Sequence, residues 1–131
     1  MKDIIEKFVA LEKEISAERG ELSLFALFLR EEALDRWDVV VSAPWFEADQ
    51  KSTLEYLAKK LRLRLRAQDL LRISRIILLE PADASLKAIQ QAIAVEHGSV
   101  EVRDCVFFGL RIKHGYIITS KREASVNANV T

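Results

Sequence analysis

The stretch Glu21–Phe46 constrains this chain more than any other. Leu22–Leu29 is apolar except for Ser23, Val39–Val41 is a β-branched run, and the charged segment Arg30–Asp38 separates the two. Short apolar runs bounded by polar connectors read as strands buried on both faces, although periodicity alone also fits a buried helix. The longest of these runs is far below the ~20 residues of a membrane helix. Strands of this kind need cover on both sides, and the flanking segments are patterned to supply it.

Asp3 can cap a first helix in which Ile4, Phe8, Leu11 and Ile15 form one face and Gly20 gives the stop. Strand one is expected over Glu21–Arg30 and strand two over Asp38–Ala43, antiparallel neighbours, with Pro44 ending the second. Ser52-Thr53-Leu54-Glu55 has the form of a capping box, with Asp49 as a competing cap. Leu54, Leu57, Ala58, Leu61 and Leu65 then recur on one helical face, before a break near Arg66–Ala67 and a short turn through Asp69–Arg72. Ile73–Leu79 reads as a third strand. Asp83 or Ser85 can cap a third helix, with Leu86, Ile89 and Ile93 inward and His97-Gly98 as its end. Val100–Thr119 reads as two strands, with the bend at Gly109 or at Lys113-His114-Gly115.

The order α-β-β-α-β-α-β-β predicts an α/β or α+β domain, a mixed sheet of about five strands with three helices packed on it. Residues 1–120 are expected to form a single globular domain and 121–131, polar and small, a flexible tail. With 131 residues, half of them hydrophobic, the chain can bury a core without metals or disulfides. Its single cysteine, Cys105, excludes an intramolecular disulfide and any CxxC motif.

The motifs that carry chemistry are absent. Gly20, Gly98, Gly109 and Gly115 fall in no GxGxxG or GxxxxGK[ST] frame, and GxSxG does not occur, so no cofactor is expected. His97 reads as a helix C-terminal histidine and His114 as a turn residue, with no HExxH or HxH frame and no metal expected. Cys105 and His114 could form a nucleophile–base pair across the last two strands, but a cysteine in a strand pattern is more often a small buried hydrophobe. Asp38 could open a two-carboxylate-plus-lysine nuclease frame. The later frames depart from it: Arg111-Ile112-Lys113 has arginine where a carboxylate belongs, and Glu101-Val102-Arg103 has arginine for lysine. No catalytic residue is assigned.

Twenty basic and twenty acidic residues give zero formal net charge, but unevenly distributed. Lys59–Arg75 holds seven basic residues against Asp69 alone, while Met1–Arg36 holds nine acidic against six basic. Lys59, Lys60, Arg62, Arg64 and Arg66 could therefore contact phosphates or an acidic partner. Alternatively they pair with the acidic first third of their own fold or of a second subunit. A second candidate site is the Ser42–Asp49 loop, since ligands in open sheets sit outside the carboxyl ends of strands. There Trp45, Phe46 and Asp49, with Trp37 and Phe107-Phe108 as further aromatic wall, could line a pocket. Equally, they could plug the core or fill a dimer interface.

The expectation is a cytoplasmic, non-catalytic interaction or regulatory domain, homodimeric, with a protein partner and no membrane contact. Apolar content and zero net charge favour association. Nucleic-acid association through the basic segment, and ligand binding or catalysis in the Ser42–Asp49 loop, are the alternatives.

Overall fold

A computed structural model describes residues 2–31, 35–46, 50–107 and 109–121. Its elements are α1 (Lys2–Arg19), β1 (Leu24–Arg30), β2 (Trp37–Ser42), α2 (Gln50–Arg64), α3 (Ala67–Leu70), β3 (Ile73–Leu78), α4 (Ala84–Ala92), β4 (Val100–Phe107) and β5 (Leu110–Ser120). The five strands form one mixed sheet in the order β3-β2-β1-β5-β4. β1 runs antiparallel to both β2 and β5, β4 is antiparallel to β5, and β2 and β3 are parallel. The two apolar runs of the sequence thus lie side by side, with β1 at the sheet's centre. The parallel pair is joined by the crossover through α2, as a parallel connection requires.

Both faces of β1 are covered because its side chains alternate between two cores. Phe25, Leu27 and Leu29 face Phe8, Leu11 and Ile15 of α1 and Leu57 and Leu61 of α2. Leu24, Ala26 and Phe28 face Leu86 and Ile89 of α4. The cover is unequal. Two long helices lie on the first face, but α4 has nine residues, and Val102, Cys105, Phe107 and Leu110 of the β4–β5 hairpin stay half-buried around it.

The α+β architecture is as the sequence predicts, with three corrections and one alternative decided. There are four helices rather than three: the expected turn after α2 includes the helical turn α3. The Asp69 carboxylate stabilises its start by accepting the Arg66 N–H at 3.2 Å. Leu54 leaves the buried face of α2 and is 37% exposed. α4 ends at Ala92, before His97-Gly98, because Ile93 turns extended and the chain continues into a bridge between Val95 and Ser120. The hairpin bends at Gly109, whose φ of +72° suits a residue without Cβ. His114 and Gly115 therefore sit inside β5.

The cap of α4 is Asp83, whose carboxylate accepts the Ser85 N–H at 2.7 Å. Gly20 ends α1 as expected, with φ +117° and its N–H donated to the Ser16 carbonyl at 3.0 Å. Asp49, the competing cap of α2, lies outside the described residues, as do Phe108 and residues 122–131. Lys121 is tied down: its N–H donates to the Ser23 carbonyl and its ammonium meets Glu21 and Glu96.

Candidate functional site

Because β2 and β3 are parallel, their carboxyl ends lie at the same edge of the sheet, where α2 begins. A cavity of about 300 Å³ opens there, lined by Phe46, Gln50, Thr53, Leu78 and the segment Leu79–Ala82. Its floor is fixed by strand-end hydrogen bonds: the Leu79 N–H donates to the Val41 carbonyl, and the Ser42 hydroxyl donates to the Leu79 carbonyl at 2.7 Å. Among the described aromatics singled out from sequence, Phe46 is the one that lines this cavity. Trp45 is turned away from it. Its indole N–H donates to the carbonyls of Gly20 and Glu21, at 2.9 and 3.1 Å, and its ring lies 3.1 Å from where a Cβ on Gly20 would be. Trp45 thus pins the α1–β1 turn, with Phe46 edge-on to it at 5.2 Å.

Trp37 opens β2, at the opposite end of that strand. It is buried in the first core and packs on His114 and Tyr116 at 5.6 and 5.8 Å. Phe107 stacks on Phe28 at 5.1 Å. Among the described residues the aromatic positions do not converge on one wall.

The basic segment is largely engaged within the fold. The Lys60 ammonium, on a side chain almost fully covered, donates to Glu14 at 2.6 Å and to Glu18 at 2.9 Å. Arg64 grips Glu14 with two hydrogen bonds, at 2.8 and 2.6 Å. Donation from Arg64, then from Lys60, holds the Glu14 carboxyl down to about 2. The Tyr56 hydroxyl donates to Glu18 at 2.7 Å, which with Lys60 lowers that carboxyl; burial and Glu18 push the Tyr56 phenol up to about 12. Arg66 lies 3.5 Å from Asp69, which also receives Lys7 of α1 at 2.8 Å. Lys59 and Arg62 are exposed on α2. The charge asymmetry of the sequence is to this extent a seam between α1 and α2.

The candidate catalytic groups are not assembled. Cys105 and His114 lie on adjacent strands, but Cys105 pairs with Ile112 and turns to the second core, while His114 packs on Trp37 in the first. The switch between faces falls at Asp104, with φ +48°. Burial pushes the Cys105 thiol up, away from the nucleophilic thiolate. His114 is a strand residue bonded to Glu101, not a turn residue. Asp38 is buried in β2 between Arg30 of β1 at 2.9 Å and Arg75 of β3 at 3.2 Å, while Glu101 is on β4 at the far edge of the sheet.

One polar centre escaped the sequence reading. Glu12, fully buried in α1, accepts from the Ser16 hydroxyl at 3.0 Å and meets His97 Nδ1 at 2.5 Å. The His97 backbone, at φ +54°, donates its N–H to the Thr119 hydroxyl. His97 is thus not at a helix C-terminus but ties the α4–β4 loop to α1. The signal was present: Glu12 stands four residues after Phe8 and one after Leu11, on the buried side of the helix.

Among the described residues no group of three or more metal-binding side chains occurs, and no helix is long and apolar enough to cross a membrane. Comparison of the chain with protein-family models, with curated proteins and with solved structures finds no match.

Proposed function

We propose that this domain is a non-catalytic interaction module that works as a homodimer, joined edge to edge through β3. The observation that carries this reading is the contrast between the two sheet edges. β4 bears the usual guards against pairing: Glu101, Arg103 and Asp104 are exposed along it, and the positive φ of Asp104 kinks it. β3 is Ile-Ser-Arg-Ile-Ile-Leu, and its one charged side chain, Arg75, leans back onto Asp38 of β2. Ile73, Ile76, Ile77 and Leu78 are half-buried there, and Leu71, just before the strand, is 75% exposed. A two-fold axis through Ile77 would set Ile76 opposite Leu78 of a second copy, on one face of a continuous antiparallel ladder. Zero net charge leaves no long-range repulsion between copies.

Further support comes from the reactive side chains, since Asp38, Glu12, His97 and Glu14 are each engaged in ties between elements. The test is the mass in solution by sedimentation equilibrium, from about 5 to 200 µM, across the range where specific interfaces form. The wild-type chain should be a dimer. Leu71→Lys and Ile77→Lys should weaken dimerisation at least about tenfold with an unchanged far-ultraviolet spectrum. A wild-type monomer throughout that range refutes the reading.

A further inference from the structure

We propose that the outward face of α2 binds the phosphate backbone of a nucleic-acid duplex. The surface of one copy stands without self-association; its doubling, described below, rests on the β3 dimer.

α2 has two opposite sides. At about 100° per residue, Leu57, Leu61 and Leu65 fall together, and all are buried in the first core. Lys60 and Arg64 flank them and are held by Glu14. Lys59, Arg62, Leu63 and Arg66 recur at i, i+3, i+4 and i+7 on the other side, and all are exposed. The basic residues thus divide by helical phase, one set serving the α1–α2 seam and the other pointing away from it. Lys59 and Arg62 have no hydrogen-bond or ion-pair partner among the described residues. Arg66 lies 3.5 Å from Asp69, but that carboxylate also holds Lys7 and the Arg66 N–H, and the Arg66 side chain stays 62% exposed.

Like charges three and four apart on one helix face repel. Glu55 bounds the stripe one turn before Lys59, and no carboxylate stands between Lys59 and Arg66 to offset the repulsion. A local conflict left uncompensated by the fold marks a surface kept for a partner.

The row of cations suits a duplex. From Lys59 to Arg66 the helix rises about 10 Å, and a duplex carries one charge per about 1.7 Å of axis, so about six phosphates lie along that length. The stripe has no aromatic ring on which an unpaired base would stack, which disfavours a single strand. Leu63 is its one apolar side chain, too little to enter a bilayer interface or to centre a protein interface. In the β3-joined dimer the antiparallel ladder sets the two-fold axis perpendicular to the sheet. Both copies of α2 then lie on the same face, and the row of cations is doubled.

The test is fluorescence anisotropy of a labelled, mixed-sequence DNA duplex of about 24 base pairs, titrated with the full chain from about 50 to 200 mM salt. The mass of the chain is measured beside it by sedimentation. The three cations of one stripe give a log–log slope of about −3 and an affinity loss of about 40-fold over that range; two stripes give about −5 and about 10³-fold. A chain that is dimeric by mass should show the steeper slope and a monomeric chain the shallower, with Kd below about 100 µM at the lowest salt. Failure of the dimer reading is thus separate from failure of this one. Lys59→Gln combined with Arg62→Gln should keep the far-ultraviolet spectrum, reduce the slope to about a third and weaken binding at the lowest salt at least about tenfold. Lys59→Arg should match wild type. The proposal is overturned if the duplex does not bind at about 50 mM salt, or if the double glutamine variant keeps the wild-type slope. It is overturned equally if oligothymidylate, poly-L-glutamate or phosphatidylserine vesicles bind as tightly as the duplex.

Discussion

Replacing Gly115 with alanine tests the packing of the sheet's centre directly. A Cβ at this position would stand 2.6 Å from Phe28 Cδ1, 3.1 Å from Phe28 Cε1 and 3.0 Å from Val102 Cγ2. Comfortable carbon–carbon contact is about 3.5–4.0 Å, so the closest approach overlaps by about 1 Å. Phe28 has little room to give way, being 1% exposed and stacked on Phe107. Overpacking of this kind costs about 1–3 kcal/mol. Against that stands a gain: Gly115 is not among the positive-φ glycines, so alanine can adopt its backbone and lowers the entropy of the unfolded chain, worth about 0.4–1 kcal/mol. Overlap wins, leaving a net loss of about 1–2 kcal/mol. For 131 residues each kcal/mol moves the midpoint by about 3–4 °C, so Gly115→Ala should melt about 3–8 °C lower. The same substitution made in Phe28→Leu should cost clearly less, because the closest ring contact is relieved and only the 3.0 Å approach to Val102 is left, giving a coupling above about 0.5 kcal/mol. Calorimetry of the four proteins checks both numbers. A Gly115→Ala protein as stable as wild type, or an equal penalty in the Phe28→Leu background, refutes the packing described here.

The α1–α2 seam predicts acid sensitivity. Glu14, Glu18, Glu21, Asp69 and Glu101 all have carboxyls lowered by hydrogen-bonding partners, so the folded state binds protons less readily than the unfolded one. Their contribution is present above the unfolded values, near 4.5 for the glutamates and 3.8 for Asp69, and is lost as the pH falls, for Glu14 through about 2. Urea midpoints measured from pH 6 to 2.5 should therefore fall with acid, and less steeply in Glu14→Gln; parallel curves contradict the assignment. Asp83→Ala, which removes the α4 cap, should cost about 1 kcal/mol, read from denaturant midpoints, with Asp83→Asn largely restoring it. Trp45→Phe keeps an aromatic ring, though a smaller one, and deletes the indole N–H. It should destabilise by about 1–2 kcal/mol and raise amide exchange at Gly20 and Glu21 ahead of the rest of the chain.

The strands, the first helix and the antiparallel pairing of β1 with β2 were legible because each rests on local apolar pattern. Ile4, Phe8, Leu11 and Ile15 are all buried, as their spacing implies. What the pattern could not carry was long-range pairing. The sequence lists Glu12 and His97 85 residues apart, and their contact exists because β5 places the loop before β4 against α1. Leu54 fits the helical period, yet α2 rests on the sheet through Leu57 and Leu61, and Leu54 lies off that contact. The excess of positive charge on α2 was readable, and so was pairing with the acidic first helix as one of its two outcomes. Which cations pair depends on the α1–α2 crossing, which places Lys60 and Arg64 against Glu14. The cavity lies in the stretch that the Pro44 stop and the following helix marked, but its aromatic is Phe46 rather than Trp45. The indole of Trp45 found carbonyls at the α1–β1 turn, which no local spacing encodes.

The central position of β1 has a consequence for synthesis. Its neighbour β2 ends at Ser42, while its other neighbour, β5, ends at Ser120. As the chain is made from its amino end, the sheet's most apolar strand is half-zipped long before its second partner exists. At about 5–20 residues per second, the 78 residues between those two points take of order ten seconds. Throughout that interval Leu24–Arg30 presents an open ladder to every neighbouring nascent chain. The domain's period of greatest exposure to chaperones, and to aggregation, is therefore during translation and ends when the β4–β5 hairpin docks.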